Sequence, residues 1–83
     1  MTVLKFSTSH CGQCMLVAQR LRQKNLKVTE VDCEQQPELA EKYGIRNVPQ
    51  IIVLNDDGSV RDRYANVPAI MKAISTGALK DKL

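Results

Sequence analysis

Two cysteines separated by two residues, in the tetrad Cys11-Gly12-Gln13-Cys14, restrict this chain more than any other feature of it. On a helix that begins near Cys11, the i, i+3 spacing sets both sulfurs on one face. It also brings the Cα atoms within the roughly 4.4–6.8 Å that a disulfide tolerates. Such a pair closes and opens without rebuilding the backbone, as a reversible two-electron redox site requires. The same spacing is half of many zinc sites, and it also suits a permanent structural disulfide. The surrounding sequence has to discriminate among these chemistries.

The tetrad falls between a predicted strand and a predicted helix. Thr2 to Phe6 is rich in Val, Leu and Phe and reads as a strand, and Ser7-Thr8-Ser9-His10 follows as a loop with hydroxyl groups suited to capping a helix. From Cys11 to about Lys24, the residues Cys14, Val17, Ala18 and Leu21 recur at i, i+3, i+4 and i+7 and mark one buried helical face, with Asn25 as the stop. Lys27 to Cys33 is β-rich and predicts a second strand. Pro37 opens a second helix with Leu39, Ala40 and Tyr43 inward and Gly44 at its end. Ile51 to Leu54 is a continuous apolar run, as in a strand covered on both faces. Asn55-Asp56-Asp57-Gly58 is a hairpin turn leading to a polar edge strand, Ser59 to Arg63. Asn66 then caps a last helix containing Pro68, Ile70, Met71 and Ile74, with Gly77 ending it. Met15, Tyr43 and Met71 read as packing residues.

The expectation is a single α/β domain over residues 1–83, in the order β-α-β-α-β-β-α. It has a four-stranded mixed sheet, three flanking helices, a right-handed first crossover and an antiparallel final hairpin. Eighty-three residues allow one modest core. Hydrophobic residues at 43% and charged residues at 25% are those of a folded chain rather than a disordered one. The net charge of +3 comes from scattered residues, with Arg20, Arg22, Lys24 and Lys27 the densest group. One Phe, two Tyr and no Trp leave no platform for stacking bases, so nucleic acid is not an expected partner. No segment reaches the ~18 apolar residues of a membrane span. The start of the chain shows no signal-peptide pattern, and the expected location is the cytoplasm.

In a reducing compartment, a Cys-x-x-Cys beside a βαβ pattern reads as a redox motif or a metal site before it reads as a staple. Zinc needs two further ligands, and His10 and Cys33 are the candidates, without a second Cys-x-x-Cys or a His-x-x-x-His. A thiol at a helix N-terminus faces unpaired N–H groups and the positive end of the helix dipole, which stabilise its thiolate. Cys11 is therefore the expected exposed attacker. Cys14, one turn in on the apolar face, is the expected resolving thiol, and Gly12 lets a partner's backbone come close.

The ordered set Cys11 to Cys14, Val31-Asp32, Pro37-Glu38-Leu39-Ala40, Lys42-Tyr43-Gly44-Ile45-Arg46 and Val48-Pro49 resembles the thioredoxin and glutaredoxin superfamily over about residues 2 to 76. The resemblance implies a thioredoxin fold and a dithiol–disulfide oxidoreductase. It also implies that Pro49 is cis and that Val48 offers backbone groups to an extended substrate segment, with Ala65 completing the groove. The chain is of glutaredoxin size, but Tyr43 to Gly58 is closer to thioredoxin. Ala65-Asn66 stands where glutaredoxins generally carry their glutathione clamp, and Gly-Gln stands where their tetrad usually has Pro-Tyr.

Three departures from thioredoxins bear on the chemistry. Gln13 replaces a proline and leaves a backbone N–H at the helix start, favouring the Cys11 thiolate. His10 replaces a tryptophan and, as an imidazolium, would lower the Cys11 pKa and share protons with it. Lys5 falls where thioredoxins bury an Asp, and Glu30 where they place its Lys partner, so a charge-swapped pair behind the site is expected. Its carboxylate would accept the Cys14 proton. Cys33 reads as a small buried hydrophobe.

The resemblance implies disulfide-containing protein substrates, with no cofactor beyond the disulfide itself. It implies a flavoprotein thioredoxin reductase or glutathione as reductant, ribonucleotide reductase as an acceptor, and a monomer. A glutathione-dependent glutaredoxin and a non-catalytic docking module remain as alternatives.

Overall fold

The computed structural model describes residues 2–79, so the ends of the 1–83 span lie outside the described residues. The elements are β1 (Thr2–Ser7), α1 (Gly12–Gln23), β2 (Thr29–Asp32), α2 (Pro37–Lys42), β3 (Gln50–Leu54), β4 (Val60–Tyr64) and α3 (Val67–Thr76). They form one mixed sheet in the order β2-β1-β3-β4, with β1 parallel to β2 and antiparallel to β3, and β3 antiparallel to β4. Three helices flank it, as expected of the thioredoxin fold.

β1 and β3 are the central strands, and their side chains are accordingly apolar on both faces. On one face Val3, Ile51 and Val53 pack under α1 and α3 with Val17, Leu21, Ile70, Ala73 and Ile74. On the other, Leu4, Phe6, Ile52 and Leu54 pack with Val31 and with Leu39 and Tyr43 from the α2 region. The Phe6 and Tyr43 rings meet edge-on at 5.8 Å. Tyr43 and Met71 thus pack as expected. Met15 does not: it is 73% exposed, because its position on α1 lies away from the face that buries Cys14, Val17 and Leu21. Ala18, expected on the buried face, is only half-buried at its margin.

All three helices stop by the same device. Asn25 (φ 55°), Gly44 (φ 66°) and Gly77 (φ 79°) take the left-handed conformation. The next N–H then turns back: Leu26 donates to the Leu21 carbonyl, Ile45 to Ala40 and Ala78 to Ala73, at 2.8–3.0 Å. After α1, this turn delivers Leu26 into the core beside Leu21.

All four strands differ from expectation at their ends, β1 running on to Ser7 and β3 beginning at Gln50, one residue more in each case. β2 is four residues long, because its pairing with β1 runs only from Thr29 to Asp32. After that point Gln35 and Gln36 donate to the Asp32 carbonyl and turn the chain. β4 starts at Val60, because Ser59 is held in the turn, its N–H and hydroxyl both donating to the Asp57 carboxylate.

Asn66 caps α3, its Oδ1 accepting the Ala69 N–H at 2.9 Å. Asn66→Ala should lower the unfolding free energy by about 1 kcal/mol and Asn66→Asp should restore most of it. The urea midpoint reads this directly.

Candidate active site

The register gathers the expected site residues at one end of the sheet. The β1–β3 ladder closes at Phe6–Gln50, the β1–β2 ladder at Ser7–Asp32 and the β3–β4 ladder at Ile51–Tyr64. The segments that run off these ends, Thr8 to Cys11, Cys33-Glu34, Val48-Pro49 and Ala65, therefore emerge side by side.

Cys11 is the N-cap of α1, with extended backbone (φ −111°, ψ 102°). Its Sγ accepts the backbone N–H of Cys14 at 3.0 Å, the role a serine or aspartate oxygen usually plays at a helix start. Cys14 sits one turn further on and is 3% exposed, while Cys11 is half-buried. The two sulfurs are joined as a disulfide, with the Cα atoms 5.2 Å apart. The pair is thus asymmetric, with one sulfur at the surface on the positive end of a helix and the other against the core.

Gly12, Gln13 and His10 are exposed around it. A Cβ built on Gly12 would meet nothing within 4 Å, so the fold itself does not require glycine there. The loop before Cys11 is held by a residue outside the expected set. The Ser9 N–H and hydroxyl both donate to one Glu34 carboxylate oxygen, at 3.1 and 2.8 Å. The Ser9 hydroxyl first, and then its amide, hold the Glu34 carboxyl below the usual carboxylate range, and the nearby His10 acts in the same direction.

The Val48–Pro49 peptide is cis, and Pro49 is fully buried. Val48 and Ala65 are half-buried beside it. A chain of polar side chains ties this wall together. The Gln50 side chain, 3% exposed, donates from Nε2 to Asn47 Oδ1 at 3.1 Å and accepts from Arg63 at 3.2 Å. Asn47 Nδ2 donates to the Ala65 carbonyl at 2.9 Å, and Arg63 donates to the Tyr43 carbonyl. Asn47 thus clamps the segment before the cis-proline to the residue after β4. Sequence reasoning missed Glu34, Asn47, Gln50 and Arg63, which lie 13 to 25 residues from some of their partners. A glutamine opening an otherwise apolar strand was the one visible signal.

Lys5 and Glu30 face each other in register across β1 and β2. The Lys5 ammonium, on a side chain 3% exposed, contacts both Glu30 oxygens at 3.0 and 3.3 Å, while Glu30 is 54% exposed. Lys5 lies on the sheet face that α1 covers, as Val3 does two residues earlier. Cys33 follows the end of β2 and is a half-buried free thiol. Burial, followed by the charge of Asp32, pushes its pKa up, so it is a poor thiolate. Among the described residues, no group of three or more His, Cys, Asp or Glu side chains could hold a metal ion, and no helix is long and apolar enough to cross a membrane.

A thioredoxin-type sheet with a Cys-x-x-Cys pair opening its first helix, opposite a cis-proline, defines a disulfide-exchange class of protein. The thioredoxin family model matches residues 1–76, and the chain belongs to that family. It is 35% identical over 63 residues to the SPbeta prophage-derived thioredoxin-like protein YosR of Bacillus subtilis, an alignment covering 76% of this chain and 79% of that one. It is 27% identical over 74 residues to a thioredoxin of Griffithsia pacifica, covering 82% of this chain and 68% of the other. Among solved structures, the thioredoxin of Fasciola hepatica superposes with a TM-score of 0.71 at 26% identity, over 90% of this chain and 78% of that one.

Two outcomes test the supporting polar groups. Glu34 has a lowered folded pKa, so its contribution to stability is complete above its unfolded value and is lost as pH falls through the folded one. The stability difference between the native chain and Glu34→Ala, read by urea unfolding, should shrink from pH 6 to pH 3. Separately, Glu30→Ala should cost about 1–3 kcal/mol by stranding the buried ammonium, whereas Lys5→Met should cost less, since it removes the charge and keeps the stem. Adding Glu30→Ala to Lys5→Met should then change little.

Proposed function

We propose that this protein is a dithiol reductant of protein disulfides, with Cys11 as the nucleophile and Cys14 as the resolving thiol. The observation that carries this reading is the asymmetry of the pair, with Cys11 Sγ at the helix cap accepting the Cys14 N–H and Cys14 buried. In the reduced protein the same N–H and the helix dipole favour the Cys11 thiolate over its thiol. The thiolate attacks one sulfur of a substrate disulfide. A mixed disulfide forms and the other substrate sulfur leaves as a thiolate, which takes up a proton. Cys14 then loses its proton and attacks Cys11 Sγ, releasing the second substrate thiol. The protein ends oxidised, and the substrate has gained two electrons and two protons.

The neighbouring residues serve this cycle. Val48, ahead of the cis-proline, offers its backbone to an extended substrate segment, and Ala65 forms the far wall. Asn47 holds the two walls in register. Gly12, open in the fold, leaves room for the partner's backbone, and Gln13 and His10 stand at the exposed mouth. Glu30, paired with Lys5 on the face that α1 covers, is the carboxylate we assign to receive the Cys14 proton. Ala65-Asn66 offers little for the carboxylates of glutathione, which favours a flavoprotein reductase as the source of electrons. The working compartment in this reading is a reducing one, the cytoplasm, and the working unit is a monomer.

Insulin-disulfide reduction tests it, with electrons supplied either by thioredoxin reductase and NADPH or by glutathione. Cys11→Ser should abolish turnover. Cys14→Ser should abolish turnover and trap a mixed disulfide visible by mass spectrometry. Glu30→Gln should slow reduction and displace its pH profile. A Cys11→Ser protein that still reduced insulin would end this reading, and a Cys14→Ser protein turning over normally would remove the resolving role.

A further inference from the structure

The outer side of α1 carries a surface that neither the core nor the dithiol explains. Gly12, Met15, Leu16, Ala18, Gln19 and Arg22 line an open groove of about 420 Å³. Met15 is 73% exposed and Leu16 57%. At about 100° per residue, Met15, Leu16 and Gln19 lie away from the Cys14, Val17 and Leu21 face that packs inward, with Ala18 at the margin of that face. Single exposed apolar residues are ordinary. Here two large ones adjoin, and they share the groove with a guanidinium that makes no hydrogen bond or ion pair among the described residues.

The charge around them is of one sign. No Asp or Glu precedes Glu30 in the chain. α1 contributes Arg20, Arg22 and, at its cap, Lys24, and the neighbouring α3 contributes Lys72 and no acid. Among the described residues, the acidic side chains belong to β2, α2, the segment between them, the β3–β4 turn and β4. A second copy docking by this face would bring like charges together. Nucleic acid would find no aromatic side chain on α1 or α3 to stack on.

The stripe is also continuous with the dithiol. It starts at Gly12, beside Cys11, where the backbone is open to a partner. From there it runs ten residues to Arg22, about 15 Å of helix, the span of four or five extended residues.

We propose that this stripe docks an acidic, apolar segment of the protein whose disulfide Cys11 attacks. An apolar side chain would lie against Met15 and Leu16, with a carboxylate at Arg22. The proposal rests on the oxidoreductase reading above and adds a substrate preference to it. Such a surface steers encounter as well as holding the complex, so its effect falls with salt.

Single-turnover reduction by the pre-reduced protein tests it, on three synthetic peptides. Each carries one disulfide loop flanked on both sides by Leu and by two Glu, two Gln or two Lys. The Glu peptide should react roughly three- to five-fold faster than the Gln peptide, with the Lys peptide slowest. The spread should shrink at high salt. Arg22→Glu should reverse the order of the Glu and Lys peptides, and Met15→Ser with Leu16→Ser should slow the Glu peptide. Equal rates for the three peptides, or an unchanged order in Arg22→Glu, would overturn the proposal. So would an absent peptide preference with dimerisation, binding to anionic phosphatidylglycerol vesicles or binding to an oligodeoxynucleotide, any of them lost in the Met15→Ser, Leu16→Ser variant. Hydroxyethyl disulfide separates the two readings. If the native protein reduces it without discriminating among the peptides, docking alone fails; if it reduces neither, the redox reading fails and docking falls with it.

Discussion

The pairing of β1 with β3, Lys5 opposite Ile51 and Phe6 opposite Gln50, is the constraint on which the rest of this structure depends. Both strands are central, so each must be apolar on two faces, and a slip of one residue would exchange the two faces entirely. The register places Pro49 just beyond one strand end and the Thr8 to Cys11 segment just beyond the other. The dithiol and the cis-proline come from sequence positions almost forty residues apart. They share one end of the sheet because the ladder between them is fixed by Val3, Ile51 and Val53 on one side and Leu4, Phe6 and Ile52 on the other.

On that frame, three cysteines acquire three different chemistries from position alone. Cys11 replaces an oxygen at a helix cap, where an N–H and the dipole reach its sulfur. Cys14 is carried inward by the same helix face that buries Val17 and Leu21. Cys33 follows a strand end where burial and Asp32 oppose its ionisation. The protein therefore has one pair poised for exchange and a third thiol held back from it.

The buried polar side chains follow a similar logic. Lys5 and Gln50 are the polar residues buried among the described ones, and both have their partners. Lys5 reaches a half-exposed carboxylate, so the charge is not left in the apolar interior. Gln50 uses both ends of its amide, and that connection passes through Asn47 to Ala65. Polar groups of this kind contribute little net stability when satisfied, but their geometry holds loops that apolar packing would leave adjustable.

Much of this was legible in the sequence because it is local. The tetrad, the order of elements and the helix stops at Asn25, Gly44 and Gly77 depend on spacing, turn chemistry and strand alternation within short windows. The Lys5–Glu30 pairing was expected from the positions these residues share with thioredoxins. Resemblance to thioredoxins supplied the cis-proline. Met15 looked like a packing residue because composition reports that a side chain is apolar and not which side of the helix it occupies. The ends of β2 and β4 were misplaced because side chains and carbonyls of the turns, those of Asp32 and Asp57, compete with the ladder for hydrogen bonds. The Glu34, Asn47 and Arg63 contacts, and the gathering of basic charge over α1 and α3, join residues far apart in the chain. The sequence by itself determined that two thiols would sit at a helix start and could form one reversible bond. Only the tertiary structure decided what held the opposite wall and where the unpaired apolar stripe faced. Those depend on strand register and packing, which no local window contains.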